Sequence, residues 1–153
     1  MPENIERKLG IWLEHITKPQ SEIGNYSICP FVKKMPPVIT ADKLDIEQFE
    51  NLSDEVTIYC ETEVNSTFTE IDELCKALNN KYATHIFLPD HPHRETFIKG
   101  VKTGNGYVPL IIAQTKKELL SARERLSKTD YYSYWNKEYL EEIFNYGDMD
   151  RVG

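Results

Sequence analysis

The spacing of apolar and polar residues predicts five helices in this chain. In each stretch, apolar residues recur every three or four positions, which places them on one face of a helix. Capping-box pairs begin two of these helices, because Thr67 and Thr115 are each followed three residues later by a glutamate. Asp130 is the expected cap of the last helix. The predicted helices cover residues 3–17, 42–52, 67–80, 115–127 and 130–146.

Shorter stretches between these helices have the pattern of strands. One of them alternates, with Val56, Ile58 and Cys60 on the same side, which predicts a strand with one buried face. Another is continuously apolar, as is typical of a central strand, and Pro109 should lie near its start because proline has no N–H to donate. The predicted strands are residues 38–40, 55–62, 84–88 and 107–114.

The alternation of helices and strands favours an α/β (or α+β) fold. We predict a two-layer sandwich in which about five helices cover a small mixed sheet of three to five strands, with a three-layer arrangement as the alternative. The strands at 55–62 and 84–88 should be parallel and joined by a right-handed crossover. The length of 153 residues fits one globular domain over residues 1–147, followed by a flexible tail at 148–153.

Composition and charge narrow the classes of partner. The net charge of −7 argues against broad binding to DNA, RNA or anionic lipid, whereas a local basic pocket is enough for a small anionic ligand. No apolar run approaches the roughly 20 residues that span a bilayer, and the charged start of the chain does not resemble a secretory signal. Cysteines at positions 29, 60 and 75 form no CxxC pair and no disulfide framework, which favours a cytoplasmic location.

A loop that follows the predicted strand 84–88 concentrates titratable side chains. His91 and His93 lie two residues apart, so in an extended segment both imidazoles face the same side as Glu95. Two imidazoles and a carboxylate suit Zn²⁺ or Fe²⁺, with Asp90 in support of the ligands. The pattern therefore raises the hypothesis of a divalent metal site at His91, His93 and Glu95.

The same loop supports two other interpretations. In one, His91 or His93 acts as a general acid–base while Arg94 holds a small anionic ligand, and Asp90 is a further ligand-binding candidate. In the other, the loop is solvated surface. The connection 89–106 is long, as lids and binding segments often are, and it ends in a Gly-Asn-Gly turn in which Asn105 is a further candidate ligand contact.

Cys29 differs from the other cysteines because it lies in an irregular loop and not on an apolar face. Lys33 is close enough in sequence to favour a thiolate or to contact an anion, and a histidine of the second loop would supply the base that a nucleophilic thiol needs. The alternative is that Cys29 packs beneath the loop, with Phe31 as the anchor.

The last predicted helix carries the densest group of aromatic residues. Tyr132, Trp135 and Tyr139 share one face, which should pack inward, whereas Tyr131 and Tyr134 lie off that face and are expected to be exposed. Aromatic residues with polar groups are common at interfaces. The alternative function is therefore a non-enzymatic interaction module or a homodimer that uses this helix.

Several short motifs resemble a family of uncharacterised bacterial proteins that is defined only as a domain of unknown function. Members have a Trp-containing helix, a Leu-Cys-Pro-Phe-Ala-Lys segment, a Phe-His-Pro segment and a Pro-Tyr-Pro segment that leads into an apolar strand. Ser27 stands where the family has Asn, and Asn105-Gly106 lies where it has Asn-Arg-Ser. The resemblance implies that the loops at 29–33 and 89–93 form one site. The matching positions, over roughly residues 11–126, are Trp12, Ile28-Cys29-Pro30-Phe31-Val32-Lys33, His91-Pro92 and Tyr107-Val108-Pro109-Leu110.

These observations predict a ligand or substrate pocket between the loops at 25–34 and 89–106. If the protein is an enzyme, Cys29, His91 and His93 are the candidate catalytic residues. The residue types do not determine a reaction class.

Overall fold

A computed structural model describes residues 2–30 and 35–146 of the chain. Lys33 and Phe31 lie outside the described residues, as does the predicted tail at 148–153. Short 3₁₀ turns occur at Ser21–Ile23, Ile46–Gln48 and Tyr131–Tyr134. The helices are α1 (Pro2–Thr17), α2 (Phe68–Lys81), α3 (Lys116–Ser127) and α4 (Lys137–Asn145), and the strands are β1 (Val38–Ala41), β2 (Thr57–Glu61), β3 (His85–Asp90), β4 (Phe97–Ile98), β5 (Val101–Lys102) and β6 (Leu110–Thr115).

The sheet is mixed, with the strand order β1-β2-β6-β3. Strand β1 is parallel to β2, and β6 is antiparallel to both of its neighbours. Strands β2 and β3 therefore run in the same direction, but β6 lies between them. The predicted α/β class and the central position of the apolar strand are confirmed. A separate hairpin of β4 and β5 forms over residues 97–102, within the long connection 89–106.

Both faces of the sheet are covered, so the predicted two-layer packing is wrong. On one face, Ile58 and Leu110 pack with Leu9 and Trp12 of α1. On the other face, residues of β2, β3 and β6 pack with α2. Strand β2 is accordingly buried along its whole length and not on one side only. The helix count is also lower than predicted, because the described residues contain four α-helices.

The predicted helix at 42–52 is wrong because local hydrogen bonds close a single 3₁₀ turn in its place. The Asp45 carboxylate accepts from Ile46 N at 2.7 Å, and the Gln48 side chain accepts from Asp45 N at 3.1 Å. The Glu61 carboxylate also holds Leu44 N at 2.9 Å. Side-chain acceptors of this kind compete with the i→i−4 ladder, so the apolar spacing did not produce a helix.

The predicted helix at 130–146 is interrupted by tertiary contacts. The Tyr131 side chain is buried and its hydroxyl donates to Ile28 O at 2.6 Å, which holds this segment as a 3₁₀ turn. Trp135 is extended, and Asn136, not Asp130, is the cap of the helix that follows. Tyr131 was expected to be exposed, and its burial corrects that expectation.

The two capping-box predictions differ in outcome. Thr67 and Glu70 form both hydrogen bonds of the box and begin α2 as predicted. Thr115 makes no such bond, although α3 begins there. The helix directly follows β6, and pairing of Thr115 with His85 of β3 fixes the chain at this point without a cap.

The outer edge of β3 is occupied by a side chain of α2. Asn79 Nδ2 donates to Phe87 O at 3.0 Å, and Phe87 N donates to Asn79 Oδ1 at 2.8 Å. One amide group thus satisfies both backbone groups that face away from the sheet at this residue.

Candidate functional site

A cavity of about 120 Å³ lies between the sheet and the helices α3 and α4. We call it the inner cavity. Segments far apart in the chain form its walls: α1, the loop at 28–29, the end of β3, and the three C-terminal segments that follow β6. Four of the candidate catalytic and ligand-binding residues line it, namely Cys29, Asp90, His91 and Arg94. The structure therefore brings the two predicted loops to one cavity.

Two hydrogen bonds that involve the backbone of the Cys29 loop fix its position in the fold. Cys29 N donates to Ile16 O of α1 at 2.8 Å, and Ile28 O accepts from the Tyr131 hydroxyl. The side chain of Cys29 is half-buried and its thiol is not in a disulfide. Lys33, which was predicted to act on this thiol, lies outside the described residues.

Asp90, which is half-buried at the end of β3, forms a polar pair with the buried Asn105. Asp90 Oδ2 accepts from Asn105 N at 2.8 Å and from Asn105 Nδ2 at 2.5 Å. Burial raises the pKa of Asp90, and the hydrogen bonds from Asn105 oppose this rise. A Cβ atom at Gly104 would lie 2.8 Å from Asp90 Oδ1, so glycine is required for this approach.

Asn105 holds the turn together through its remaining bonds. Its Oδ1 accepts from Tyr107 N at 2.7 Å and from Val108 N at 2.9 Å, and its Nδ2 also donates to Val108 O at 3.1 Å. The amide is therefore engaged by the protein itself, and Asn105 is not among the residues that line the inner cavity. The structure gives it an architectural part in positioning Asp90.

Both ring nitrogens of His91 contact backbone groups. Nδ1 accepts from His93 N at 3.0 Å, so the proton belongs on Nε2, which donates to Ser66 O at 2.6 Å. The ring is almost completely buried. General acid–base chemistry at His91 would require one of these hydrogen bonds to break, because a base needs a free ring nitrogen.

Residues 91–94 form a turn, not the extended segment on which the metal hypothesis depended. Arg94 N donates to His91 O at 3.0 Å, and His93 is exposed with its ring edge-to-face on His91. Glu95 lies near Lys102, with 3.7 Å between the charged atoms. In the described parts of the chain, no three His, Cys, Asp or Glu side chains form a group that could hold a metal ion. The geometry thus does not support a site at His91, His93 and Glu95.

Arg94 lies at the mouth of the inner cavity and is paired with an acidic residue. Its guanidinium forms an ion pair with Glu142 of α4 and stacks 4.6 Å from the centre of the Phe68 ring. These two residues and Tyr146 also line a wider groove of about 740 Å³ on the α2 side, which we call the outer groove. The Arg94–Glu142 pair therefore belongs to the wall between the two spaces.

A group of hydroxyl side chains forms another polar part of the cavity wall. Thr103 Oγ1 lies 3.3 Å from the Tyr139 hydroxyl and is also hydrogen-bonded to Thr96 Oγ1. Burial raises the pKa of Tyr139. Trp12 Nε1 donates to Thr103 O at 2.9 Å, which fixes this segment on α1.

Two buried polar residues of the inner cavity were not identified from the sequence. Gln114 of β6 is 6 % exposed and Arg123 of α3 is 7 % exposed, and both line the inner cavity. The signal was present: a glutamine ends the most apolar strand, and an arginine falls one turn after Leu119 on the buried face of its helix. Buried polar residues at such positions need a partner or a function.

Glu61 is buried, although an acidic residue at the end of a strand usually faces water. Its carboxylate is fully covered and accepts from Leu44 N, from Asn65 N at 3.0 Å and from Ser66 Oγ at 2.5 Å. These hydrogen bonds hold the segment at Leu44 and the loop at residues 65–66 against the end of β2. Because Ser66 O also accepts from His91, Glu61 indirectly supports the cavity wall.

None of the helices in the described parts of the chain has the length and apolar character needed to cross a lipid bilayer.

The chain was compared with protein families, with curated proteins and with solved structures. No family model, no curated protein and no solved structure matches the chain.

Proposed function

We propose that this protein binds a small amphipathic molecule in the inner cavity. The observation that carries the proposal is the convergence of the Cys29 loop, the end of β3 and the C-terminal helices on one cavity. These three parts of the wall lie far apart along the sequence. Small-molecule sites are typically such concave spaces, with mostly apolar walls and a few polar groups.

The size of the inner cavity supports a ligand with a single ring. An engineered apolar cavity of about 150 Å³ in another protein accommodates benzene. The inner cavity measures about 120 Å³ and shares wall residues with the outer groove. A compact ring with one polar substituent matches this volume.

The composition of the walls supports an amphipathic ligand. Trp12, Tyr132, Trp135 and Tyr139 provide aromatic surface, on which a ring can pack edge-to-face or stacked. Trp135 and Tyr139 are already stacked, with ring centres 5.2 Å apart. Polar side chains, among them Thr96, Thr103 and Gln114, lie in the same wall, where they can form hydrogen bonds with a polar substituent.

The proposal concerns binding and includes no chemical step. The engaged nitrogens of His91 favour binding over acid–base catalysis, and the exposure of His93 away from the cavity wall supports the same choice. The interaction-module alternative receives less support, because Tyr131, Tyr132 and Trp135 pack among one another, Tyr131 is buried and Trp135 packs against the core. None of the three cysteines, all of which lie in the described part of the chain, is in a disulfide; this suits the reducing cytoplasm, which we propose as the location.

The test uses benzoate and benzamide as single-ring probes. Both tryptophans of the chain line the inner cavity, so occupancy should change intrinsic tryptophan fluorescence in a saturable way. We expect at least one probe to produce this change. Ile143→Phe, which adds a ring to the cavity wall, should weaken binding about tenfold or more, because overpacking costs about 1–3 kcal/mol.

Leu140→Phe is the matched control. Leu140 lies on the same helix as Ile143 but is not among the residues that line the inner cavity, so this variant should bind like the unmodified protein. Isothermal titration calorimetry should give the same affinities as fluorescence. Absence of saturable binding of both probes, or equal weakening by the two substitutions, would refute the proposal.

A further inference from the structure

An ion pair forms the charged part of the wall between the inner cavity and the outer groove. Among the charged residues that the structure describes, only Arg94 and Glu142 line both spaces. Their charged groups are in direct contact, and their side chains are 38 % and 30 % exposed. Because water screens an ion pair that is exposed to this extent, the pair adds little to stability, and a ligand can open it at small cost.

The ion pair lies beside the apolar wall of the inner cavity. On α4, Glu142 and Ile143 follow Tyr139 by three and four residues, so both are its neighbours one turn along the helix, and all three line the cavity. The guanidinium of Arg94 lies 4.6 Å from the centre of the Phe68 ring, which orients its planar fork of N–H donors. A charged group bound at the ion pair would therefore lie next to side chains on which a ring can pack.

The two opposite charges restrict the kind of ligand that can bind at this point. An anion alone would pair with Arg94 but would lie beside the carboxylate of Glu142, and a cation alone would meet the guanidinium in the same way. A ligand with both charges satisfies both side chains when their own pair opens, so neither is left without a counter-charge. Because Arg94 and Glu142 are in contact, the two charges of the ligand must also lie close together.

We infer that the ligand is an α-amino acid with a single-ring side chain, whose carboxylate binds Arg94 and whose ammonium group binds Glu142. The inference rests on the proposed function and adds the chemical class of the ligand. An α-amino acid carries both charges on one carbon atom, which matches the contact between the two side chains. The ring occupies the inner cavity of about 120 Å³, and the charged groups lie at its border with the outer groove.

Three probes with the same ring separate the effects of the two charges. L-Phenylalanine carries both charges, 3-phenylpropanoate carries only the carboxylate, and 2-phenylethylamine carries only the ammonium group. Near neutral pH, the unmodified protein should bind phenylalanine at least about tenfold more tightly than either analogue, because each analogue lacks one charge-assisted hydrogen bond. Intrinsic tryptophan fluorescence and isothermal titration calorimetry measure the three affinities.

Substitution of each partner should remove one of these two preferences. In Arg94→Gln, phenylalanine should lose its advantage over 2-phenylethylamine, because the carboxylate that distinguishes them no longer meets a cation. In Glu142→Gln, it should lose its advantage over 3-phenylpropanoate, because the ammonium group no longer meets an anion. Arg125→Gln and Glu141→Gln are the matched controls, since both residues are exposed and line neither space; these variants should keep both preferences.

The outcomes separate this inference from the proposed function. If the unmodified protein binds phenylalanine no more tightly than the two analogues, the inference is overturned, and this comparison needs no variant to fold. Persistence of both preferences in Arg94→Gln and Glu142→Gln would overturn it as well. In either case, saturable binding of benzoate or benzamide would still support the proposed function. If no single-ring probe binds, the proposed function fails, and the inference fails with it.

Discussion

The three cysteines differ in the surroundings of their thiols. Cys60 and Cys75 are completely covered, and burial raises the pKa of Cys60 to about 11 and that of Cys75 well above its usual range. Cys29 is half-buried at the inner cavity. Because the thiolate is the reactive form, burial disfavours reaction at the first two thiols both by access and by protonation.

Alkylation should therefore discriminate among these thiols. Near neutral pH, iodoacetamide should label Cys29 at least about tenfold faster than Cys60 or Cys75, as a one-unit rise in pKa alone lowers the thiolate fraction about tenfold. Mass spectrometry of peptides from partly labelled protein measures the three rates. Urea should make the rates similar. Equal rates in the folded protein would contradict the described burial.

At the level of elements, α4 depends on Asn136, the cap residue that directly precedes it. The helix has nine residues, which is too short for stability in isolation, and it carries Tyr139 and Glu142 of the cavity wall. Asn136 Oδ1 accepts from Tyr139 N at 2.7 Å and so satisfies one of the free N–H groups at the start of the helix. The cap therefore stabilises the start of α4 and, with it, the part of the cavity wall that this helix carries.

Asn136→Ala should lower the free energy of unfolding by about 1 kcal/mol, within the range of about 0.5–2 kcal/mol measured for lost caps. Urea denaturation provides the measurement. Asn136→Asp retains an acceptor and should recover most of the stability, which separates the cap from a general effect of substitution. A fully stable alanine variant would show that the tertiary contacts alone hold α4 in place.

The elements also show which parts of the fold can be predicted from sequence. Residues 3–17 and 67–80 were correctly predicted as helices, because an uninterrupted apolar stripe and, at Thr67, a complete capping box agree with the tertiary packing. The predictions failed where a hydrogen bond not visible in the apolar pattern decided the conformation. At Asp45 this bond is local, whereas at Tyr131 it reaches Ile28, more than one hundred residues away.

At the scale of the whole molecule, the site arises from segments that only the folded chain brings together. The sequence identified the two loops that carry Cys29 and Asp90, because their residue types stand out from their surroundings. It did not predict the cover formed by α3 and α4, because the position of Arg123 over β6 depends on how these helices pack on the sheet. Periodicity reports which face is buried but not which polar groups meet there.

The stability of the whole molecule should depend on pH through Asp90. Because burial raises the pKa of Asp90 in the folded state, folding favours its protonated form. Its contribution to stability is therefore greatest below the pKa of the unfolded state, about 3.9, and decreases as the pH rises through the folded-state pKa. We therefore subtract the unfolding free energy of Asp90→Asn from that of the unmodified protein. This signed difference should increase as the pH is lowered from 7 towards 4.

Urea denaturation at a series of pH values measures this difference. A change in stability that the substitution causes equally at every pH does not affect the trend. Asp54→Asn, at an exposed position, is the control for the loss of one carboxyl group. A difference that shrinks on acidification would mean that the hydrogen bonds from Asn105 outweigh the effect of burial.

The amide of Asn79 has a consequence for self-assembly. An edge strand with free N–H and C=O groups can recruit a strand of another molecule, and this is a common first step towards fibrils. At Phe87 both outward groups are already bonded to Asn79, so a foreign strand could add in register only after displacing this side chain. Polymerisation through β3 is thereby opposed by a single residue of the helix beside it.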